Sequence, residues 1–393
     1  MKNLRAAPLI CALGAALLTA GCGGKTASIR IGFNIPLTGD SPMIGEGPRN
    51  TGEMLRERIN AGGGWDVRGT KYPVEFIYVD NELKAESAVQ AALRLIEQDR
   101  VLVMIGPQGS GRAIPAGQIA NDNRTPMISP WSTNPATTRE RPYVFRACFL
   151  DPFQAPVGAK FARQQFGAER VAILYNLEDD YSKTLAELFR DSWTAANGAA
   201  SVAAFESHGQ KDQNFEVQLT RIIRSGADFL YLPVYYDIVA KIVPQAQALG
   251  WTRPIMGSDS WGYAALIDLA GKKPSGESTV EGYYFTTHYA AAGATGATRA
   301  YIDDYRARYG YIPDDVSALT YDAIHIALNA ISEAGLTGNL PQDRDNIRAA
   351  IAGLKEYDGI TGKMTFNESG DPEKEAVVVR IVDGQFTFVA SLR

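Results

Sequence analysis

Two turns in the first half of the chain could hold an anion. One, at residues 106–111, reads Gly-Pro-Gln-Gly-Ser-Gly, and the other, at residues 130–135, reads Pro-Trp-Ser-Thr-Asn-Pro. Glycines let the backbone approach a ligand closely, and a helix start offers free N–H groups to an anion. The turns therefore indicate a carboxylate site with an apolar wall, unless they only cap two helices. The side chains that they supply are Ser110, Trp131, Ser132 and Thr133.

The corresponding turns in the second half supply acids and aromatic rings. The candidates there are Tyr181, Tyr235 and Asp259. If the two halves face each other, anion donors on one side meet a carboxylate on the other, and that polarity suits a zwitterion. Each tyrosine could equally be an ordinary surface or core residue, and Asp259 could merely cap a helix that begins near Trp261.

The elements that must position these residues alternate along the chain. Past residue 27, short β-branched or aromatic runs are followed by longer segments of helical period. This alternation predicts an α/β fold with two doubly wound, Rossmann-like lobes and parallel central sheets, whose ligands bind beyond the carboxyl ends of the strands. Asp151 and Pro152 predict the N-cap and the first position of one helix. Strands are predicted at 29–35, 74–79, 101–105, 171–175, 202–206 and 229–232, and helices at 45–60, 84–98, 112–121, 153–166, 182–197, 213–225 and 238–249.

The pattern changes after residue 280. One strand is predicted at 283–286, and helices are predicted at about 298–309, 316–334 and 344–353. Asp383 and Gly384 stand between apolar runs at 376–382 and 386–392, which predicts a β-hairpin. These pieces are too few for a third domain. We expect them to complete the two lobes, with the chain crossing between the lobes more than once.

The N-terminus is typical of an exported protein. Two basic residues precede an apolar run, and residues 18–22 read Leu-Thr-Ala-Gly-Cys. This motif resembles the lipobox of bacterial lipoproteins, which implies a signal peptide at 1–21, lipidation of Cys22 and a tether at 22–27. An ordinary signal peptide with an accidental cysteine is the alternative. Cys148 is then the single cysteine of the folded body, so no disulfide is expected within it.

Composition narrows the classes of function. The net charge is −5 and no basic run is present, which argues against nucleic acid as the partner. The three histidines are scattered, so we expect no metal, and we also expect no cofactor and no catalytic residues. A serine hydrolase that uses Ser110 is disfavoured, because Gln108 stands where the Gly-x-Ser-x-Gly motif needs its first glycine.

Several segments resemble, in the right order, motifs of the leucine/isoleucine/valine-type periplasmic solute-binding proteins. These proteins are the extracytoplasmic receptors of branched-chain amino acid ABC transporters. The resemblance covers nearly all of residues 28–393 and implies a type I periplasmic binding protein fold. In that fold three crossover strands join two lobes, here residues 28–146 plus about 286–364, and residues 147–285 plus about 365–393. The resembling segments are 31–40, 45–63, 79–81, 105–107, 126–130, 145–149, 179–183 and 320–323.

The resemblance assigns roles to the first-lobe candidates. Ser110 matches the serine that receives the ligand carboxylate, and Thr133 matches the threonine that binds both carboxylate and ammonium. Trp131 matches a position that uses its backbone carbonyl, and Ser132 lies between Trp131 and Thr133. Small residues are common at the position of Trp131, so the indole could shrink the side-chain pocket or stack on an aromatic ligand.

The second-lobe candidates receive roles in the same way. Tyr181 matches an aromatic residue of the cleft, Tyr235 a tyrosine near the α-amino group, and Asp259 the acid that pairs with the ammonium. Branched-chain members of the family carry Glu at the position of Asp259, so the shorter acid is a departure.

The resemblance implies a lipid-anchored binding protein of the periplasm or cell surface. It would act as a monomer that captures an amino acid, branched-chain or otherwise apolar, and delivers it to the permease of an ABC transporter. The alternatives are the same fold with an amide, urea or aromatic acid as ligand, or a role in sensing.

Overall fold

The computed structural model describes residues 27–39 and 41–392. The predicted signal peptide and Cys22 lie outside these residues. The strands are β1 (Ile29–Ile35), β2 (Trp65–Val67), β3 (Thr70–Tyr72), β4 (Val74–Asp80), β5 (Val103–Ile105), β6 (Met127–Ser129), β7 (Val144–Arg146), β8 (Val171–Asn176), β9 (Val202–His208), β10 (Phe229–Leu232), β11 (Ile255–Gly257), β12 (Tyr284–Thr287), β13 (Tyr357–Gly359), β14 (Gly362–Phe366), β15 (Pro372–Glu373), β16 (Ala376–Val382) and β17 (Gln385–Leu392). The α-helices are α1 (Met43–Ala61), α2 (Ala85–Leu93), α3 (Ser110–Asp122), α4 (Asp151–Phe166), α5 (Asp180–Asn197), α6 (Glu216–Arg224), α7 (Tyr236–Ala248), α8 (Ala265–Leu269), α9 (Gly296–Tyr309), α10 (Asp315–Ala334) and α11 (Leu340–Ala352).

The first lobe is built on a parallel sheet of five strands in the order β4-β1-β5-β6-β7. Nearly every residue of β1 is buried, because helices cover both faces of this sheet. The helix α10, from far along the chain, packs on α1 and on β5, and α11 packs on α10. The parallel pairing of β5 with β6 places their carboxyl ends side by side, which is where the two predicted anion-binding turns begin.

The second lobe is built on a seven-stranded sheet in the order β17-β16-β12-β11-β10-β8-β9. Strands β8 to β12 pair in parallel, and the β16–β17 hairpin adds to β12 antiparallel. The predicted hairpin is confirmed: Val382 pairs with Gln385, and the two residues between them, Asp383 and Gly384, have φ of 50° and 69°. A tight hairpin turn needs positive φ at both positions, which aspartate tolerates and glycine favours.

The chain passes between the lobes three times. The connections lie between β7 and α4, between β12 and α9, and between the small β13-β14-β15 sheet and β16. Two α/β lobes with parallel central sheets are therefore confirmed as the fold class. The position proposed for the second boundary, about 286, falls inside β12, which stays in the second sheet through Thr287.

Several local expectations were wrong. Asp151 is not an N-cap: Leu150 occupies that position, and Asp151 and Pro152 are the first two residues of α4. The single helix predicted at 84–98 is α2 followed by a π-helical turn at Arg94–Gln98. The short strands β2, β3 and β13 to β15 were not predicted, because two to five residues are too few to show a period.

Candidate functional site

The first-lobe candidates lie together at the carboxyl ends of β5 and β6. Ser110 is the first residue of α3, and Gly109 before it has a φ of 77°. A Cβ at Gly109 would lie 2.9 Å from the hydroxyl of Tyr235, a residue of the other lobe. Only glycine therefore combines this backbone conformation with so close an approach. The first N–H groups of α3 have no partner within the helix, as a site for an anion requires, and Gly109 places the start of this helix against Tyr235 of the other lobe.

The hydroxyl groups of this turn differ in their availability. Ser132 Oγ lies 2.6 Å from Thr137 Oγ1 and 3.2 Å from Ser110 Oγ, so it is engaged within the first lobe. Ser110 Oγ also accepts a 3.4 Å bond from the Asn134 amide. Thr133 Oγ1 is buried without a hydrogen-bond partner. A buried polar atom without a partner is costly, so Thr133 is a candidate to contact a ligand, whereas Ser132 supports Ser110.

Asp259 is the second-lobe acid of the site, and it begins a short 3₁₀ turn after β11. Its Oδ1 accepts hydrogen bonds from Gln154 Nε2 at 2.9 Å and from the Tyr181 hydroxyl at 2.6 Å. Its Oδ2 lies 3.4 Å from Nε2 of His288. The carboxylate makes no capping bond, because Ser258 is the N-cap of the turn and no side chain caps it. The bonds instead hold the Asp259 side chain in one orientation.

His288 does not neutralise Asp259. Complete burial lowers the pKa of His288 to about 4, against the favourable influence of the Asp259 carboxylate. Its ring packs against Phe149 with the centroids 3.9 Å apart. At neutral pH the imidazole is therefore uncharged, and the negative charge of Asp259 remains available to a cation in the cleft.

Asp151 belongs to the site, although it was not predicted there. It is fully buried, and its carboxylate makes no hydrogen bond of good geometry, although the Thr133 hydroxyl lies beside it and favours the ionised form. Burial, together with the nearby charge of Asp259, raises the pKa of Asp151 to about 8. Its amide donates to the Thr133 carbonyl at 2.9 Å, so it adjoins the anion-binding turn. The residue could have been found from its place directly after the first crossing, but the following Pro152 suggested a cap.

The predicted tyrosines lie between the lobes. The ring centroid of Tyr235 is 5.4 Å from that of Tyr181 and 5.8 Å from that of Trp131. Tyr181 orients Asp259 through its hydroxyl, as described above. Tyr235 precedes α7 as its N-cap residue, and its hydroxyl is 3.4 Å from the Arg112 guanidinium. These rings thus link Trp131 of the first lobe to Tyr181, and through its hydroxyl to Asp259, of the second.

Direct contacts across the cleft hold the lobes in a closed arrangement. The guanidinium of Arg112 lies 3.8 Å from the Asp179 carboxylate, and both side chains are largely buried. Asn134 donates to Thr184 Oγ1 at 2.9 Å and to the Asp180 carbonyl at 3.1 Å. Arg112 therefore joins the lobes beside the site. Burial raises the pKa of Asp179, and the Arg112 charge opposes that change.

The arrangement favours binding over chemical transformation. Within residues 27–39 and 41–392, no hydrogen bond joins Ser110 to a histidine, so the serine lacks a general base. A ligand between the two lobes would meet hydroxyl groups and helix N–H groups on the first-lobe side and the carboxyl groups of Asp151 and Asp259 on the second-lobe side. That polarity matches the carboxylate and ammonium of a zwitterion.

Known proteins share this architecture over most of the chain. The family described as periplasmic binding protein matches residues 28–385. The Leu/Ile/Val-binding protein BraC3 of Rhizobium johnstonii is 30% identical over 353 residues, which cover 88% of this chain and 89% of that protein. A leucine-, isoleucine-, valine-, threonine- and alanine-binding protein of Pseudomonas aeruginosa is 26% identical, over 88% of this chain and 87% of its own length.

Solved structures agree with the sequence relatives. A leucine-binding protein of Thermotoga maritima superposes with a TM-score of 0.83 and 31% identity, covering 93% of this chain and 99% of that one. A branched-chain amino acid transporter substrate-binding protein of Streptococcus pneumoniae, solved with isoleucine, has a TM-score of 0.82 and 27% identity, with coverage of 93% and 99%. A solute-binding protein of R. palustris, solved with benzoate, shares only the fold at 20% identity, with a TM-score of 0.79 over 93% of this chain and 96% of that one.

The predicted resemblance and the expectation of a binding protein rather than an enzyme are both confirmed, since the relatives are solute-binding proteins of transporters. None of the helices in the described part of the chain has the length and hydropathy of a membrane span. With a family match across residues 28–385 and two lobes closed around one polar site, this chain belongs to the periplasmic binding protein family.

Proposed function

We propose that this protein captures an α-amino acid between its two lobes and delivers it to the permease of an ABC transporter. The observation that carries the proposal is the buried set of Thr133, Asp151 and Asp259 where the lobes meet: the Asp151 amide bonds the Thr133 carbonyl, and the charge of Asp259 acts on the Asp151 carboxyl. Burial of so many polar groups is costly unless a ligand or water completes their bonds.

The carboxylate of the amino acid would bind at the start of α3. Ser110 offers its hydroxyl, the first turn of α3 offers N–H groups, and Thr133 offers a hydroxyl that has no other partner. Charge-assisted hydrogen bonds to an anion are shorter and stronger than neutral ones. Trp131 would form the apolar wall next to this end of the ligand.

The ammonium would bind between Asp259 and Asp151. Tyr181 and Gln154 hold Asp259 in place, and the carboxyl of Asp151, beside the Thr133 hydroxyl, makes no hydrogen bond of good geometry. A cation between the two carboxylates relieves their mutual repulsion, which an amide or a neutral ligand would not do. Two acids on the ammonium side also offset the shorter reach of Asp259 relative to a glutamate.

The names of the relatives give the first ligands to test. Those names specify leucine, isoleucine and valine, and one adds threonine and alanine. Delivery to a permease follows the same relatives, since the structural neighbour from Streptococcus pneumoniae is named as a transporter substrate-binding protein. The predicted apolar, branched-chain specificity therefore remains the starting hypothesis.

The proposed location is the outer face of a membrane. The motif at residues 18–22 supports lipidation of Cys22, and the tether at 22–27 would leave the two lobes free to act as a monomer. Two or more acyl chains anchor a protein stably, whereas one does not. The lobes would be residues 28–146 plus about 286–364 and residues 147–285 plus about 365–393, hinged at their three crossings.

A ligand screen tests the proposal. The purified protein is heated with each of the twenty amino acids and, separately, with amides, urea and benzoate, because a ligand of the native state raises the melting temperature. We expect at least one amino acid to stabilise the protein, with calorimetry giving one site. Stabilisation by an amide or aromatic acid, with no response to any amino acid, would overturn the proposal.

A further inference from the structure

A buried arginine contacts the candidate anion-binding turn at residues 130–135. Arg146 ends β7, and its Nε donates to Asp371 Oδ1 at 2.6 Å. The Thr138 hydroxyl accepts a 2.8 Å bond from Arg146 Nη2 and donates to the same Asp371 oxygen at 2.8 Å. Both charged side chains are buried, with exposed fractions of 0% and 8%. Replacing a buried ion pair by apolar side chains is often neutral or stabilising, so stability alone does not account for this pair.

Other donors of Arg146 hold the residues on either side of Thr133. Its Nη1 donates to the Ser132 carbonyl at 2.5 Å, and its Nη2 donates to the Asn134 carbonyl at 3.0 Å. A guanidinium presents its N–H groups in a rigid planar fork, so it can hold several acceptors in fixed directions, which an ammonium cannot do. The arginine therefore fixes the backbone just before and just after the threonine.

These bonds also fix the direction of the Thr133 N–H. The Ser132–Thr133 peptide bond is trans, and in a trans peptide the carbonyl and the following N–H point in opposite directions. Because the Ser132 carbonyl is directed at Arg146, the Thr133 N–H is turned away from the arginine. In the described part of the chain that N–H donates no hydrogen bond. The Thr133 carbonyl is held separately, by the 2.9 Å bond from the Asp151 amide.

The same arginine connects this turn to two of the three crossings between the lobes. Its amide donates to the Gly370 carbonyl at 3.3 Å, one residue before Asp371. The next residue of the first crossing, Ala147, accepts a 3.2 Å bond from Lys374 of the third crossing. Arg146 therefore lies where the first and third crossings run side by side, and its side chain joins both to the turn.

We propose that Arg146, oriented by Asp371, is the positioning residue that presents Thr133 to the carboxylate of the bound solute. Arg146 itself acts only on the protein, through the carbonyls of residues 132 and 134. This positioning sets how tightly the solute binds, because a hydrogen bond weakens steeply once its donor and acceptor leave the normal distance and angle. The inference rests on the proposed function, because it assumes that Thr133 contacts the solute.

The Arg146→Lys substitution tests this role, because lysine keeps the positive charge but cannot hold the same set of acceptors at once. The probe is whichever of the twenty amino acids raises the melting temperature of the unaltered protein most, and calorimetry on the full-length protein measures its affinity. We expect Arg146→Lys to weaken binding by about 10- to 100-fold, the loss typical of removing a residue that orients a metal ligand.

Arg344→Lys is the matched control. Arg344 is another buried arginine that holds backbone carbonyls, those of Ile96 and Val101, but these precede β5 and lie at the opposite end of the strand from the candidate site. The control should lower the melting temperature while leaving the affinity within about twofold of the unaltered protein.

A double variant tests whether Arg146 acts through Thr133. Thr133→Val removes the hydroxyl and keeps the shape of the side chain. If both residues serve one contact, the double variant should bind at least about threefold more tightly than the product of the two single losses predicts. A merely structural role of Arg146 would lower the melting temperature and leave the two losses independent.

The results separate this inference from the proposed function. If Arg146→Lys binds within about threefold of the unaltered protein, if Arg344→Lys weakens binding as much, or if the losses in the double variant are independent, the inference is wrong while the proposed function stands. If none of the twenty amino acids binds, both proposals are wrong. Should Arg146→Lys fail to fold, Thr138→Val removes the hydroxyl that joins Arg146 to Asp371 and should weaken binding by at least about threefold. Unchanged affinity in that variant would contradict the inference.

Discussion

Asp151 should make amino-acid binding depend on pH. Its carboxyl is buried without a hydrogen bond of good geometry, and burial beside Asp259 raises its pKa to about 8. The ligand-free protein therefore holds Asp151 protonated at pH 6. A ligand ammonium within hydrogen-bonding reach favours the ionised form and lowers the pKa of a carboxyl by roughly 1–3. Binding should release a proton from Asp151 wherever the pH lies between the two pKa values.

The size of the effect follows from that difference. The pKa of Asp151 in the complex should be roughly 5–7, so affinity rises by up to about tenfold for each pH unit between this value and about 8. Affinity should then be constant above the pKa of the free carboxyl. Across the whole interval the gain is about 10- to 1,000-fold, or about 1.4–4 kcal/mol.

Calorimetry from pH 5.5 to 8.5 measures this dependence, using the tightest-binding amino acid and two buffers of different ionisation enthalpy to count released protons. The Asp151→Asn variant should bind more weakly at pH 8 and lose this part of the pH dependence. Asp314, with a pKa of about 6, and Lys374, with a pKa of about 8, also titrate in the interval, but their contributions persist in the variant. His288, with a pKa of about 4, titrates below this pH range. Identical pH profiles for the variant and the unaltered protein would refute the reasoning.

Four further outcomes are expected. Without ligand, Asp151 stays protonated in the folded protein up to a pKa of about 8, whereas the unfolded chain releases that proton near the ordinary pKa of 3.8. The unaltered protein therefore loses stability as the pH rises toward 8, and Asp151→Asn should melt at a higher temperature at pH 8 and at almost the same temperature at pH 4. Asp259→Asn should weaken amino-acid binding by about 2–5 kcal/mol, and Ser110→Ala by only about 1–3 kcal/mol, because the ligand carboxylate keeps its N–H donors in the second variant. If calorimetry finds the affinity of Asp259→Asn within threefold of the unaltered protein, Asp259 does not bind the ammonium. Arg112→Ala, which removes the 3.8 Å contact with Asp179 across the closed cleft, should shift the ligand-free ensemble toward larger radii in small-angle scattering, and ligand should restore the compact form. Equal radii in all samples would count against hinge closure. Cys22→Ser should move the protein from the membrane fraction to the soluble fraction, and a variant that still needs detergent would disprove lipid anchoring.

The sequence by itself determined the fold class and most of the longer helices and strands. The core strands β1, β10 and β16 have the predicted bounds, because each is a run of at most seven residues, rich in apolar and β-branched side chains, between turn signals. The Asp383–Gly384 turn could also be predicted, because a tight hairpin turn depends only on the residues within it. The turn residues at the ends of β5, β6 and β11 pointed to one site, because parallel strands present their carboxyl ends at the same edge of a sheet.

Only the tertiary structure decided which of those residues are available to a ligand. Ser132 looked as suitable as Thr133, yet its hydroxyl is engaged by Thr137, whereas that of Thr133 has no partner. Asp151 looked like a helix cap, and it became a site residue because the crossing between lobes buries it next to Asp259. Tertiary contacts determine which side chains are buried and which hydrogen bonds they form. These contacts cannot be inferred from the residues adjacent in the sequence.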